Sequence, residues 1–239
     1  MLVLKGMNHL IILLFISTTV MSQTMPSSSR SQQAFQRVTQ TLTVDLNNKN
    51  MKLGDDIFIR IFKLEAELEI WIKSKDNFKL FRTYPICTFG SEGLGPKLAE
   101  GDGKAPEGFY YVKANQLNPY SSYHLAFNLG YPNQYDRSHG RTGSALMVHG
   151  NCVSVGCYAM TDSKIEEIYS MAHAALENGQ PFFRVHVFPF KMTDQNLLLH
   201  KNSNWFEFWS NLKQGYDYFE ENNHNPPNVL VSNKHYIFE

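Results

Sequence analysis

The sequence predicts a mostly β fold with helical additions, an α+β class, and two observations carry that expectation. Short runs rich in β-branched and aromatic residues recur between turn residues from Ile57 to Phe188. Apolar spacing of three and four residues is confined to stretches near the two ends and one stretch after Cys157. The 239 residues suit one domain with additions, and no internal repeat is present. Lys plus Arg equals Asp plus Glu at 22 each, so no basic excess points to nucleic acid. An aromatic content of 13% is enough to furnish a core and argues against a disordered chain.

Taken in order, residues 1–22 read as a signal peptide. Lys5 supplies the basic start, residues 10–15 the apolar stretch, and Val20 and Ser22 the small residues before a cleavage point. The stretch is too short to span a bilayer comfortably, which takes about 20 residues. An exported protein without stable membrane insertion after signal removal is expected, periplasmic in a Gram-negative source; an uncleaved anchor is the alternative reading of the segment. Residues 23–55 read as linker and N-terminal helix. The Ser- and Gln-rich part to Gln33 is the tether, and Phe35, Val38, Leu42 and Leu46 mark the helix face.

Strands are expected at 57–62, 68–72 and 78–86, forming an antiparallel meander, and at 109–112, 124–129 and 145–148. The long Gly-, Pro- and Tyr-containing loops 90–108 and 130–143 are of the length that binding elements have. Ser163 and Glu166 have capping-box spacing before a helix face of Ile165, Ile168, Met171, Ala172, Ala175 and Leu176, which Gly179 closes. A strand at 183–188 follows. Asp194 is the expected cap of a helical tail whose Trp205, Phe208 and Trp209 cover the core. Residues 229–238 read as a last edge strand.

The chemistry concentrates in residues 146–162, LMVHGNCVSVGCYAMTD. His149-Gly150 ends an apolar run, and Ser154-Val155-Gly156-Cys157 leads towards a helix start. Two readings stand on the residues alone. In one, Cys157 is a nucleophile, His149 its base, and Gly156, Gly150 and Ser154 orient the turn and its oxyanion donors. In the other, Cys157 is a small buried hydrophobe and His149 a hydrogen-bonded core histidine. Three cysteines leave at least one thiol free, which we assign to Cys157; whether Cys87 and Cys152 bridge stays open. The spacing of His139, His149, Cys152 and Cys157 matches no compact zinc pattern, so no metal or other cofactor is expected.

Two blocks in order, Gly101-Asp102-Gly103-Lys104-Ala105-Pro106-Glu107-Gly108-Phe109 and His149-Gly150 with Ser154-Val155-Gly156-Cys157, resemble the YkuD-type L,D-transpeptidase catalytic domain. Gly93-Leu94-Gly95-Pro96-Lys97, Tyr135-Asp136-Arg137, Tyr158-Ala159-Met160-Thr161 and Gly215-Tyr216-Asp217-Tyr218-Phe219 resemble its YafK-like branch. The resemblance runs from about Asp56 to Phe219. It implies a YkuD-like β-sandwich or barrel over 56–190, with 191–239 as a helical C-terminal extension. It implies a cysteine enzyme that attacks the meso-diaminopimelate carbonyl of peptidoglycan stem peptides through a thioacyl-enzyme. Hydrolytic release of a murein-linked lipoprotein is the outcome expected from the branch. Transpeptidation to an amine is the alternative, and a non-catalytic murein-binding module the alternative of another class.

Three departures qualify the resemblance. Eight positions separate His149 from Cys157, fewer than the family pattern has. Val155 stands where many relatives carry His. Ala159 stands where many carry an Arg that helps fix the substrate carboxylate. Arg137, His139 and Arg141 are the expected replacements, with Tyr135 lining the groove.

Overall fold

The computed structural model describes residues 24–90 and 93–239; the expected signal peptide at 1–22 lies outside them. In chain order the elements are α1 (Ser29–Asn47), β1 (Ile57–Phe62), β2 (Glu67–Ser74), β3 (Asn77–Pro85), β4 (Gly108–Val112), β5 (Leu117–Asn118), β6 (Ala126–Asn128), α2 (Gln134–Ser138), β7 (Met147–His149), β8 (Tyr158–Ala159), α3 (Asp162–Glu177), β9 (Phe183–Phe188), α4 (Asp194–Leu199), α5 (Phe206–Glu221), β10 (Val229–Ser232) and β11 (His235–Phe238).

Every residue of β1 is buried, which explains its weak apolar alternation in the sequence. Ile57, Ile59 and Ile61 face the main core, while Phe58 and Phe62 pack on the opposite side. Side chains of this size contribute about 1.5–3 kcal/mol each when fully buried. The expected meander forms as β1–β2–β3, each pair antiparallel. β9 joins β1 in parallel and β4 closes the far edge, giving the order β3-β2-β1-β9-β4. A second sheet runs β5-β6-β7-β8, with β7 and β8 parallel. The fold is mixed α+β with open sheets, and among the described residues neither closes into a barrel.

α1 starts earlier than its apolar face suggests, so residues 29–33 are helical rather than tether. Ser28 Oγ accepts from the Ser31 amide, and the Ser28 amide donates to Ser31 Oγ, a reciprocal cap that nucleates the first turn. Ala34, Leu42 and Leu46 then seat α1 on the core beside α3. α3 begins after Thr161, which makes no side-chain cap. Glu166 does not serve a capping box with Ser163. Its carboxylate instead takes Arg37 of α1 (Nε to Oε2, 3.0 Å) and contacts His124 Nε2 at 2.7 Å.

Residues 191–239 cover the face of the large sheet opposite the main core. Phe208, Trp209 and Leu212 of α5 pack with Phe62, Phe109 and Phe188, as the aromatic spacing suggests. Thr193, not Asp194, caps α4 through the Asn196 amide. The expected single edge strand is a hairpin, β10–β11. Its turn residues Asn233 and Lys234 both have positive φ, 49° and 63°, the twist that suits two-residue hairpin loops.

Candidate active site

The site lies where β7 and β8 run side by side. The parallel register sets Val148 opposite Tyr158 and His149 opposite Ala159. Val148 and Tyr158 point into the main core, so the alternate positions, His149 and Ala159, share the other face. Cys157 immediately precedes β8 and packs, half-buried, against the main core. Its sulfur receives the Met147 amide at 3.4 Å and lies 3.6 Å from the Ala145 carbonyl. Among the described residues the partners of the free thiol are thus the Met147 amide and the Ala145 carbonyl, and the strand pairing sets Ala159, two residues on, opposite His149.

His149 is buried, and its Nδ1 lies 2.5 Å from the Gly150 carbonyl oxygen. A carbonyl only accepts, so in the neutral ring Nδ1 carries the hydrogen and Nε2 keeps its lone pair. The Tyr123 ring lies over the imidazole, with centroids 4.7 Å apart. Gly150 is required here because a Cβ would meet Asp162 Oδ1 at 2.7 Å and the Tyr123 carbonyl at 2.9 Å. Asp162 Oδ1 also accepts the Asn151 amide at 2.7 Å, which turns the chain away from β7.

The connection from His149 to Cys157 is short and pinned twice. Cys87 and Cys152 form a disulfide with a Cα–Cα separation of 5.5 Å. It ties the loop to the segment after β3, where the Cys87 amide donates to the Ala159 carbonyl at 2.8 Å. Ser154 Oγ donates to the Cys157 carbonyl at 2.6 Å and accepts the Gly156 amide at 3.0 Å. The Gly156 amide is therefore committed to the turn. Gly156 has a φ of 137° and sits against the Lys104 carbonyl, 2.9 Å from where a Cβ would be.

That carbonyl belongs to the first of the two sequence blocks. Asp102 organises it, accepting the Leu98, Ala99 and Lys104 amides and Lys97 Nζ at 2.6 Å. Although burial would raise its pKa, these donors hold the Asp102 carboxyl down at about 2. Burial pushes the Cys157 thiol above its ordinary value, offset in part by the Met147 amide and the charge of Lys97. Burial pulls His149 below the ordinary imidazole value, opposed by the Gly150 carbonyl. Both shifts favour the neutral forms, so thiol and imidazole stand as SH and base rather than as an ion pair. α3 begins only at Asp162, after β8, so its N-terminus is not directly joined to Cys157.

The residues expected to replace the missing arginine are differently placed. Arg141 is buried, paired with Asp136 at 2.8 Å and laid over Tyr135 and Phe208; this structural role corrects its expectation as a substrate cation. Tyr135 is likewise a core residue, stacked between His139 and Tyr236, and does not line an open groove. His139 is exposed at the end of α2, its Nδ1 2.9 Å from the Tyr135 carbonyl. Arg137 is exposed, donates to the Pro132 carbonyl, and lines a cavity away from the imidazole. Tyr123, Lys97 and Asp162 were missed in the sequence. Lys97 lies inside the Gly93–Lys97 block and Asp162 at the end of the 146–162 stretch, whereas Tyr123 carried no signal there.

These features define a class: a mixed α+β protein with a half-buried free thiol just before one strand and a buried, oriented imidazole on the strand paired with it. The profile of the L,D-transpeptidase catalytic domain (YkuD) matches residues 62–187, more than half of the chain. The chain belongs to that family. It is 48% identical over 197 residues to YafK of Escherichia coli strain K12, covering 82% of this chain and 79% of that protein. The same figures hold for YafK of Escherichia coli O157:H7. Among solved structures, it resembles the helical cell shape determining protein Pgp2 from Campylobacter jejuni, with 18% identity and a TM-score of 0.45. That likeness covers 85% of this chain and 82% of the other. Bd1075 from Bdellovibrio bacteriovorus is similar at 16% identity and a TM-score of 0.42, covering 77% and 85%. The family assignment does not rest on these distant likenesses.

Proposed function

We propose that the chain is an exported cysteine enzyme of peptidoglycan that acts at the meso-diaminopimelate carbonyl of stem peptides. The observation that carries this reading is the His149–Gly150 contact, which keeps the Nε2 lone pair available as a base on the strand paired with the one that follows Cys157. Nε2 takes the thiol proton as Sγ attacks the carbonyl carbon. The oxyanion forms near the Cys157 amide, since the Gly156 amide is held by Ser154. His149 then returns the proton to the leaving amine, and a thioester remains. Water, deprotonated by His149, releases the acid and restores the thiol. Ser154 and Gly156 position the turn, and Gly150 fixes the tautomer.

The preferred leaving group is the amine side of a bond to a murein-linked lipoprotein, which makes the reaction hydrolytic. No metal or other cofactor enters this scheme. Residues 1–22 serve as the export signal and the enzyme works in the periplasm; no helix among the described residues is long and apolar enough to cross a membrane. Residues 56–190 are the catalytic domain and 191–239 its C-terminal extension. The family name favours the second reading, transfer of the thioacyl group to an amine, because the same intermediate serves both.

Mass spectrometry of the protein incubated with sacculi and defined muropeptides tests the reading, with Cys157→Ala as control. Loss of a lipoprotein remnant from diaminopimelate without new cross-links supports hydrolysis. New diaminopimelate–diaminopimelate dimers would make transfer the activity, and no change in any product would remove both.

A further inference from the structure

On the outer face of the large sheet, between β4, β9, the 128–134 loop and β10, lies a cavity of about 760 Å³. No Asp or Glu is among the described residues that line it, whereas Arg184 and Arg137 both are. Neither guanidinium makes an ion pair among the described residues. Arg184 lies over the Phe182 ring, and burial alone pulls its pKa down, with no carboxylate to compensate. His186 forms part of the wall, almost fully buried between Phe58 and Phe109, and neither ring nitrogen has a hydrogen-bond partner. Burial, then Arg184 and Arg60, pull that imidazole well below its ordinary value.

Two further observations fix the cavity's place. Ser144 and Ala145 form part of its lining, and the Ala145 carbonyl lies 3.6 Å from Cys157 Sγ. The segment 144–145 thus borders the cavity and also supplies a carbonyl to the thiol. In addition, Ala159 leaves no cation two residues after Cys157, and Arg141 is spent on Asp136.

The geometry points to this cavity as a binding site for a carboxylate-bearing peptide arm, with Arg184 the principal cation and Arg137 the second. A half-buried arginine without a counter-ion is unfavourable until an anion arrives, and its fork of donors matches a carboxylate. The cavity is large enough for a peptide arm of a few residues. This inference rests on the proposed reaction for its choice of ligand, not for the existence of the site.

The test is calorimetry on the Cys157→Ala protein with the tripeptide L-Ala-γ-D-Glu-meso-diaminopimelate, beside the same peptide with its carboxylates amidated. Binding of the acid form, weakened about tenfold by Arg184→Gln and less by Arg137→Gln, is expected, with little binding of the amidated form. Melting temperatures of both variants near the parent's show that they fold. Equal affinity in parent and variants, equal binding of the amidated peptide, or no binding to the parent overturns the proposal. If the acid peptide binds as expected but Cys157 forms no thioester with muropeptides, the proposed reaction fails while the site stands.

Discussion

The Met147 amide donates to the Cys157 sulfur across 3.4 Å, a bond that favours the thiolate, yet burial outweighs it and leaves the thiol protonated at rest. His149 is buried, and burial pulls its pKa below the ordinary imidazole value. In the proposed reaction the two groups exchange a proton when substrate arrives rather than before it. Because the imidazole is lowered, its base form is present above a pKa below the usual 6.5. The acid limb of kcat/KM is therefore expected below pH 6.5. Because the thiol is raised, its alkylation by iodoacetamide without substrate is expected to rise only above the ordinary thiol pKa. A limb above 6.5, or fast alkylation at pH 6, would show a preformed ion pair instead.

Ser154→Ala removes both the donor to the Cys157 carbonyl and the acceptor of the Gly156 amide. The expected stability loss is about 1 kcal/mol. Turnover is expected to fall further than that loss suggests, by about tenfold, because the freed turn carries the thiol. KM is expected to stay near the parent value, since Ser154 faces the turn. Steady-state kinetics with thermal melts separates the two effects, and unchanged turnover would make Ser154 a spectator.

Much of this arrangement was legible in the chain, and the reasons differ by residue. β1 and β9 match the expected 57–62 and 183–188 because each is an apolar run bounded by turn residues. His149 and Cys157 announced themselves through the flanking glycines. Glu166 was misread because its local spacing to Ser163 imitates a cap, while its true partner, Arg37, is 129 positions away. Arg184 and Tyr123 carried no signal. One gains its place from the register of β9 against β4, the other from a loop folding over β7. Local patterns reveal elements; pairing across the fold assigns partners.

Asp102 links pH to the loop beside the thiol. Its folded pKa of about 2 lies below the ordinary aspartate value, so its stabilisation is fully present above about pH 4. It is lost as pH falls through about 2. Asp102→Asn is expected to be less stable than the parent at pH 7, with the gap closing on acidification. A gap that persists at pH 2 in chemical denaturation would assign the effect to packing rather than charge.

The Cys87–Cys152 bridge spans a sequence separation of 65 and holds the loop between His149 and Cys157. Chain-entropy arguments put its stabilisation at about 4 kcal/mol. Cys87→Ser with Cys152→Ser is expected to lower the melting temperature by roughly 10 °C or more. The parent treated with reductant is expected to follow the double variant, while the variant itself ignores reductant. A parent insensitive to reductant would mean that the loop is held by its hydrogen bonds alone.

Lys63 and Glu107 form the pair on which the two halves of the molecule meet. Lys63 Nζ lies 2.9 Å from Glu107 Oε1, with both side chains almost wholly buried. The lysine also reaches the Gly95 and Ala105 carbonyls, and Glu107 accepts the Gly95 amide and Trp209 Nε1. One ion pair thus joins β1, the loop before β4 and α5. Lys63→Met leaves a buried carboxylate facing no cation, which costs about 3–5 kcal/mol. Glu107→Gln strands the ammonium by a similar amount. The double variant is expected to recover part of the loss, because neither charge is then buried alone. Urea denaturation of all three variants measures this coupling. Strictly additive losses would show that the pair's hydrogen bonds to Gly95 and Trp209, rather than its charges, hold the extension in place.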